Sequence, residues 1–235
     1  IWAGAAVGVS HLVQSTRAGA GYGFQLVLIV ILINLFKYPF FEFGPRYAIA
    51  SGENLVYGYK RMGKWAVWLF MLLTLGTMFT IQATVTSVTV GILSSIFPNL
   101  LSFHGWIILV FALCLLIVAI GKYKVLDRVV KGIIIILSLS TIIAVVAASA
   151  GGFNPNPEFA VDFTWRAGDL AFLIALAGWM PSAIDISVWH SVWTIEKIKN
   201  TGYKPKLSES LLDFKIGYFG TTILAICFLS LGALC

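Results

Sequence analysis

The chain has 235 residues, of which 59% are hydrophobic and only 11% charged, with a mean hydropathy of +0.93. A soluble domain carries roughly 25% charged residues, so the composition excludes that class and implies an all-α polytopic membrane protein. The net charge of +6 therefore belongs to loops at a membrane surface, not to a nucleic-acid interface.

Taken in order, the chain predicts seven helices. The first runs to about residue 18 and is interrupted near 8–11, and a glycine-rich turn over 19–23 follows. The second covers about 24–49 and contains Lys37, Pro39, Glu42 and Arg46, so one side of it must face protein or water. A loop over 50–64 carries Lys60, Arg61 and Lys64. The third helix, 65–96, exceeds the ~20 residues needed to cross a bilayer. After an uncharged turn come a fourth helix over 105–120, a basic turn with Lys122, Lys124 and Arg128, and a fifth helix over about 129–150. A polar external loop spans 151–166. The sixth helix, 167–195, is interrupted near 178–182, and the seventh runs from about 210 to the end.

Basic residues gather in the loops after the second, fourth and sixth helices, the last holding Lys197, Lys199, Lys204 and Lys206. Only Arg166 falls in the other loops. By the positive-inside rule the N-terminus is cytoplasmic, and a multi-pass protein of the plasma (inner) membrane is expected. Cys114, Cys227 and Cys235 lie in apolar runs without CxxC spacing, so neither a disulfide nor a metal cluster is expected. No nucleophile–base pair marks an enzyme, and no cofactor is expected. The chain opens inside an apolar run and stops inside a helix, so further residues are expected at both ends.

The two interruptions organise the rest. Around Gly8 the apolar run gives way to Ser10, His11, Gln14, Ser15, Thr16 and Arg17. Around Gly178 the sixth helix meets Met180-Pro181-Ser182 and then Asp185. Irregular backbone at membrane depth is tolerated only where protein or a watery cavity satisfies it. Two broken helices are the sequence signature of a transporter's substrate site.

Several segments resemble the natural resistance-associated macrophage protein (Nramp) family of divalent metal transporters. They are Gly19-Ala20-Gly21-Tyr22-Gly23-Phe24, Ala48-Ile49-Ala50-Ser51-Gly52-Glu53-Asn54-Leu55 and Gly121-Lys122-Tyr123-Lys124-Val125-Leu126-Asp127-Arg128. Ala177-Gly178-Trp179-Met180-Pro181 matches the family's Ala-x-x-Met-Pro, and Glu209, Ser210 and Asp213 fit the opening of its seventh helix. The resemblance implies a LeuT-type fold of ten or more helices in two inverted repeats. Residues 1–150 would form the first repeat, helices one to five, and residues 151–235 the start of the second. It also implies a secondary transporter of a divalent metal cation, with metal bound by the Ala177 carbonyl and the Met180 sulfur.

The chain departs from the family at the chemistry. The family's Asp-Pro-Gly-Asn is here Gly8-Val9-Ser10-His11, its two sixth-helix histidines are Ser182 and Ser187, and Thr80-Ile81-Gln82-Ala83-Thr84 lacks the third-helix acid. The family's proton route is therefore not expected.

The candidate binding groups are Gly8, His11, Ala177, Met180 and Asp185. His11 is either a metal ligand through an imidazole nitrogen or a hydrogen-bond partner for freed backbone carbonyls. Asp185 either restores the negative charge lost from the first helix or pairs with Arg17 or Lys37. Ser10, Gln14, Lys37 and Glu42 are candidates for the route. Ser10 and Gln14 share a helical face with Arg17, Lys37 could reach an interior acid or substitute for a bound cation, and Glu42 sits in i,i+4 register with Arg46. Two alternatives stand beside the metal transporter: a LeuT-type carrier of a small organic solute, and a membrane scaffold or sensor that does not transport.

Overall fold

The computed structural model describes residues 2–151 and 163–234, without the side chains of Ala3, Ala5 and residues 120–127. Every regular element among the described residues is a helix, the structure that satisfies all backbone groups within one segment in lipid. Among the described residues, four stretches are long and apolar enough to cross a membrane: Val27–Ser51, Lys64–Ile96, Arg128–Ala150 and Leu207–Leu234. Most of the predicted external loop lies outside the described residues.

The first predicted helix is three pieces: α1, Trp2–Ala6; a π-helix, Ser10–Ser15; and α2, Thr16–Tyr22. The predicted turn over 19–23 is instead the end of α2, which stops at Gly23 with φ 58°. The second is α3, Val27–Ser51. The basic stretch expected as loop contains a short helix, α4, Leu55–Met62, which buries Leu55 and ends on Lys60 and Arg61, charges that complement a helix C-terminus. The third is α5, Lys64–Ile96.

The expectation of separate fourth and fifth helices is corrected. Phe103–Ala150 is one 48-residue helix, α6, which at 1.5 Å per residue reaches about 72 Å. Two apolar stretches, Phe103–Ala119 and Arg128–Ala150, lie along it on either side of the basic segment. That segment has no proline, and its glycine and aspartate do not stop the helix. The sixth predicted helix is α7, Ala167–Trp179, and α8, Ile186–Thr201. The seventh is α9, Leu207–Leu234.

The chain divides into two compact units, residues 63–133 and residues 1–62 with 134–235. The smaller is the hairpin of α5 and the first part of α6, closed by a turn where Asn99 takes a φ of 64°. Its leucines, isoleucines and phenylalanines are mostly exposed, as lipid-facing surface requires.

The larger unit holds both broken helices and two packed clusters. One joins Ala18 of α2, Leu26, Val30 of α3, Leu176 of α7, Met180, and Ala225 and Leu229 of α9. The other joins Trp2 and Ala6 of α1, Phe41 of α3, and Phe214 and Tyr218 of α9. The Trp2 ring meets Phe41 edge-on at 4.8 Å and Phe214 at 5.1 Å, geometries worth about 0.5–1.5 kcal/mol each. The interruption in the first helix falls between the clusters, so each half of that helix is anchored independently. Polar groups also tie α3 to α9: Tyr218 donates its hydroxyl to the Asn34 carbonyl at 2.6 Å, and Thr222 donates to Asn34 Oδ1 at 3.1 Å.

Candidate functional site: two helix breaks

The first break is narrower than the sequence suggests. Helical bonding lapses at Val7 and Gly8 and resumes as the π-helix, a form that recurs at functional sites. The Gly8 carbonyl accepts from both His11 N and Leu12 N at 3.0 Å, so both its lone pairs are committed. The Ser15 hydroxyl reaches five residues back to the Ser10 carbonyl at 3.2 Å.

His11 is fully buried. Its Nε2 lies 3.0 Å from the Thr221 carbonyl, which can only accept, so Nε2 carries a proton. Its Nδ1 lies 2.8 Å from the Ser10 hydroxyl. In neither protonation state does the ring offer a free lone pair while both bonds stand. The geometry is that of the second alternative, a histidine cross-linking the broken helix to α9.

The second break runs from Met180 to Asp185. Met180 N makes the last helical bond, to Leu176 O at 2.9 Å, and Met180 then turns extended. Pro181 has no N–H, so the Ala177 carbonyl four residues earlier has no helical partner. Its partner is instead Lys37, from the middle of α3. The Lys37 ammonium donates to the carbonyls of Ala177 at 2.5 Å, Gly178 at 3.2 Å and Met180 at 2.9 Å. An ammonium has three protons, and all three are used. The Met180 side chain packs into the apolar cluster. Asp185 precedes α8 at its N-cap without capping it through the side chain. Among the described residues its carboxylate has no hydrogen-bond or ion-pair partner.

The breaks meet: Ser10 Oγ lies 3.3 Å from the Pro181 carbonyl. The π-helix also packs against α7, and it carries a buried amide oxygen, Gln14 Oε1, with no partner among the described residues. Arg17 does not pair with Asp185, because its guanidinium lies over the Phe172 ring, 5.7 Å from the centroid. Glu42 is bound by Arg46. Ser187, where the family has a histidine, donates to the Phe40 carbonyl at 2.9 Å and so joins α8 to α3.

The structure thus brings Ser10, His11, Lys37, Ala177 and Met180 to the breaks and sets Glu42 in an ion pair of its own. Sequence reasoning missed Thr221 and Asn34. The hydroxyl and amide inside apolar runs were the available signal for the two.

Two interrupted helices meeting among helices long and apolar enough to cross a bilayer mark an integral membrane protein. The chain belongs to the natural resistance-associated macrophage protein-like family, whose model matches residues 1–152. It is also 41% identical over 238 residues to the Uncharacterized protein PM0681 of Pasteurella multocida (strain Pm70), an alignment covering all of this chain and 54% of that protein. The chain spans about half the length of this curated relative. No solved structure matches the chain significantly.

Proposed function

We propose that the protein is a secondary transporter that moves a divalent metal cation across the membrane by alternating access, with its site between the two broken helices of a LeuT-type fold. The observation that carries this reading is the carbonyl cradle at the end of α7. Three backbone oxygens converge there on a positive charge, at the negative end of a helix dipole. Asp185 and Gln14 Oε1 are further oxygen groups at the breaks with no other partner among the described residues. Family membership supports the cation as cargo. The small-solute alternative needs a donor for a carboxylate, and the cation best placed to serve, Lys37, has spent its protons on carbonyls.

The test is manganese uptake into proteoliposomes holding the full-length protein, followed with a manganese-quenched dye. Uptake above that of empty vesicles, saturable and inhibited by a second divalent ion, is expected. No uptake of manganese, magnesium or zinc by folded protein would leave the solute carrier or the non-transporting scaffold.

The same reading places the basic loops in the cytoplasm. In a cysteine-free background, Asn156→Cys should react with an impermeant maleimide applied outside intact cells, and Lys199→Cys should not. The reverse pattern would invert the orientation.

A further inference from the structure

We propose that Lys37 is a tethered cation: its ammonium occupies the carbonyl cradle of the site, and an incoming divalent ion must displace it to bind. This rests on the transport reading above and adds a competitor built into the chain.

The cradle exists because of local sequence. Pro181 leaves the Ala177 carbonyl without its helical donor, and the last turn of any helix has unpaired carbonyls. Carbonyls freed from helical bonding in this way take a donor or a cation where one is in reach. Lys37 supplies both in one group, from a helix 140 residues away in sequence. The acid nearest in sequence on its own helix, Glu42, is held by Arg46, and among the described residues Lys37 has no carboxylate partner. The ammonium's direct partners are therefore carbonyl oxygens alone.

Occupancy is exclusive. An ammonium 2.5 to 3.2 Å from three oxygens fills the space a metal ion would take on the same oxygens, and two cations at that separation repel strongly. The lysine stem is flexible and its charge is a compact point. It can leave without disturbing the helix that carries it, and return when the metal departs. The three carbonyls are then never without a cation through the transport cycle.

The experiment compares full-length wild type with Lys37→Met, which keeps chain length and removes charge, and with Lys37→Arg, which keeps charge. Manganese affinity is read by calorimetry and manganese flux in proteoliposomes. Lys37→Met should bind manganese at least tenfold more tightly than wild type and should release it more slowly, while Lys37→Arg should bind no more tightly than wild type. Equal or weaker binding by folded Lys37→Met overturns the tethered cation, and if wild type still carries manganese the transport reading survives. Tighter binding by Lys37→Met with no flux in wild type keeps the tethered cation and removes the transport reading.

If Lys37→Met does not fold, the wild type decides. Reductive methylation of the Lys37 amine should accelerate several-fold when manganese is added, because displacement frees the amine. An unchanged rate overturns the proposal.

Discussion

Gly19→Leu should lower the thermal stability of the detergent-solubilised protein by about 1–3 kcal/mol or more, the cost of forcing atoms into a packed interior. A Cβ built at Gly19 would lie 1.9 Å from the Leu229 carbonyl oxygen and 2.8 Å from Ala233 N. The contact is mirrored on α9, where a Cβ at Gly232 would lie 2.0 Å from the Thr16 carbonyl oxygen. These are backbone atoms that cannot swing aside, so α2 and α9 must separate. Small residues that let helix backbones touch are the usual means of association in lipid. Gly21→Ala and Gly220→Ala are the controls: a Cβ at either meets nothing within 4 Å, and each should shift stability by no more than about 0.5 kcal/mol. Fluorescence-monitored melting checks all three variants. A Gly19→Leu protein that melts with the controls would mean that α2 and α9 are not in backbone contact.

The second large effect is expected at His11. If imidazole and thioether bound the metal, His11→Ala would weaken zinc far more than magnesium. The structure points elsewhere, because both ring nitrogens are taken and the Met180 side chain is packed among apolar groups. His11→Ala should therefore cost stability, about 0.5–1.5 kcal/mol for each of the two bonds lost, to the Thr221 carbonyl and the Ser10 hydroxyl. The ratio of zinc to magnesium affinity should stay as in wild type. Asp185→Asn should weaken both ions together through lost charge. Calorimetric titration of magnesium, manganese and zinc into each variant measures this. A selective loss of zinc in His11→Ala would return the ring to the ligand set.

The two interruptions were legible because each breaks a rule that lipid enforces. Ser10, His11 and Gln14 cannot face hydrocarbon, and Pro181 cannot donate, so backbone irregularity near both could be read from composition alone. The position of the first break was read two residues too far along, because a π-helix keeps polar residues in helical bonding. The length of α5 was legible from its apolar run. The continuity of α6 was not: charge between apolar stretches looks like a turn, yet nothing from 121 to 128 prevents a helix. α4 was hidden in the same way, its buried Leu55 outweighed by Lys60 and Arg61. Lys37 was visible as an anomaly in mid-helix, but its partners are backbone oxygens of another helix. No side-chain pattern records those.

The first amide of α4 has a further consequence. Leu55 N is capped not by its own segment but by the Ser191 hydroxyl of α8, at 2.9 Å, and that hydroxyl in turn donates to the Val188 carbonyl at 2.6 Å. The N-terminal turn of a helix frays when its cap is lost, so α4 is spliced into the second half of a broken helix by a single oxygen. Any swing of α8 would pull that oxygen away and expose one amide to exchange with solvent. The Leu55 amide therefore acts as a built-in strain gauge, reporting the position of α8 from the first turn of α4.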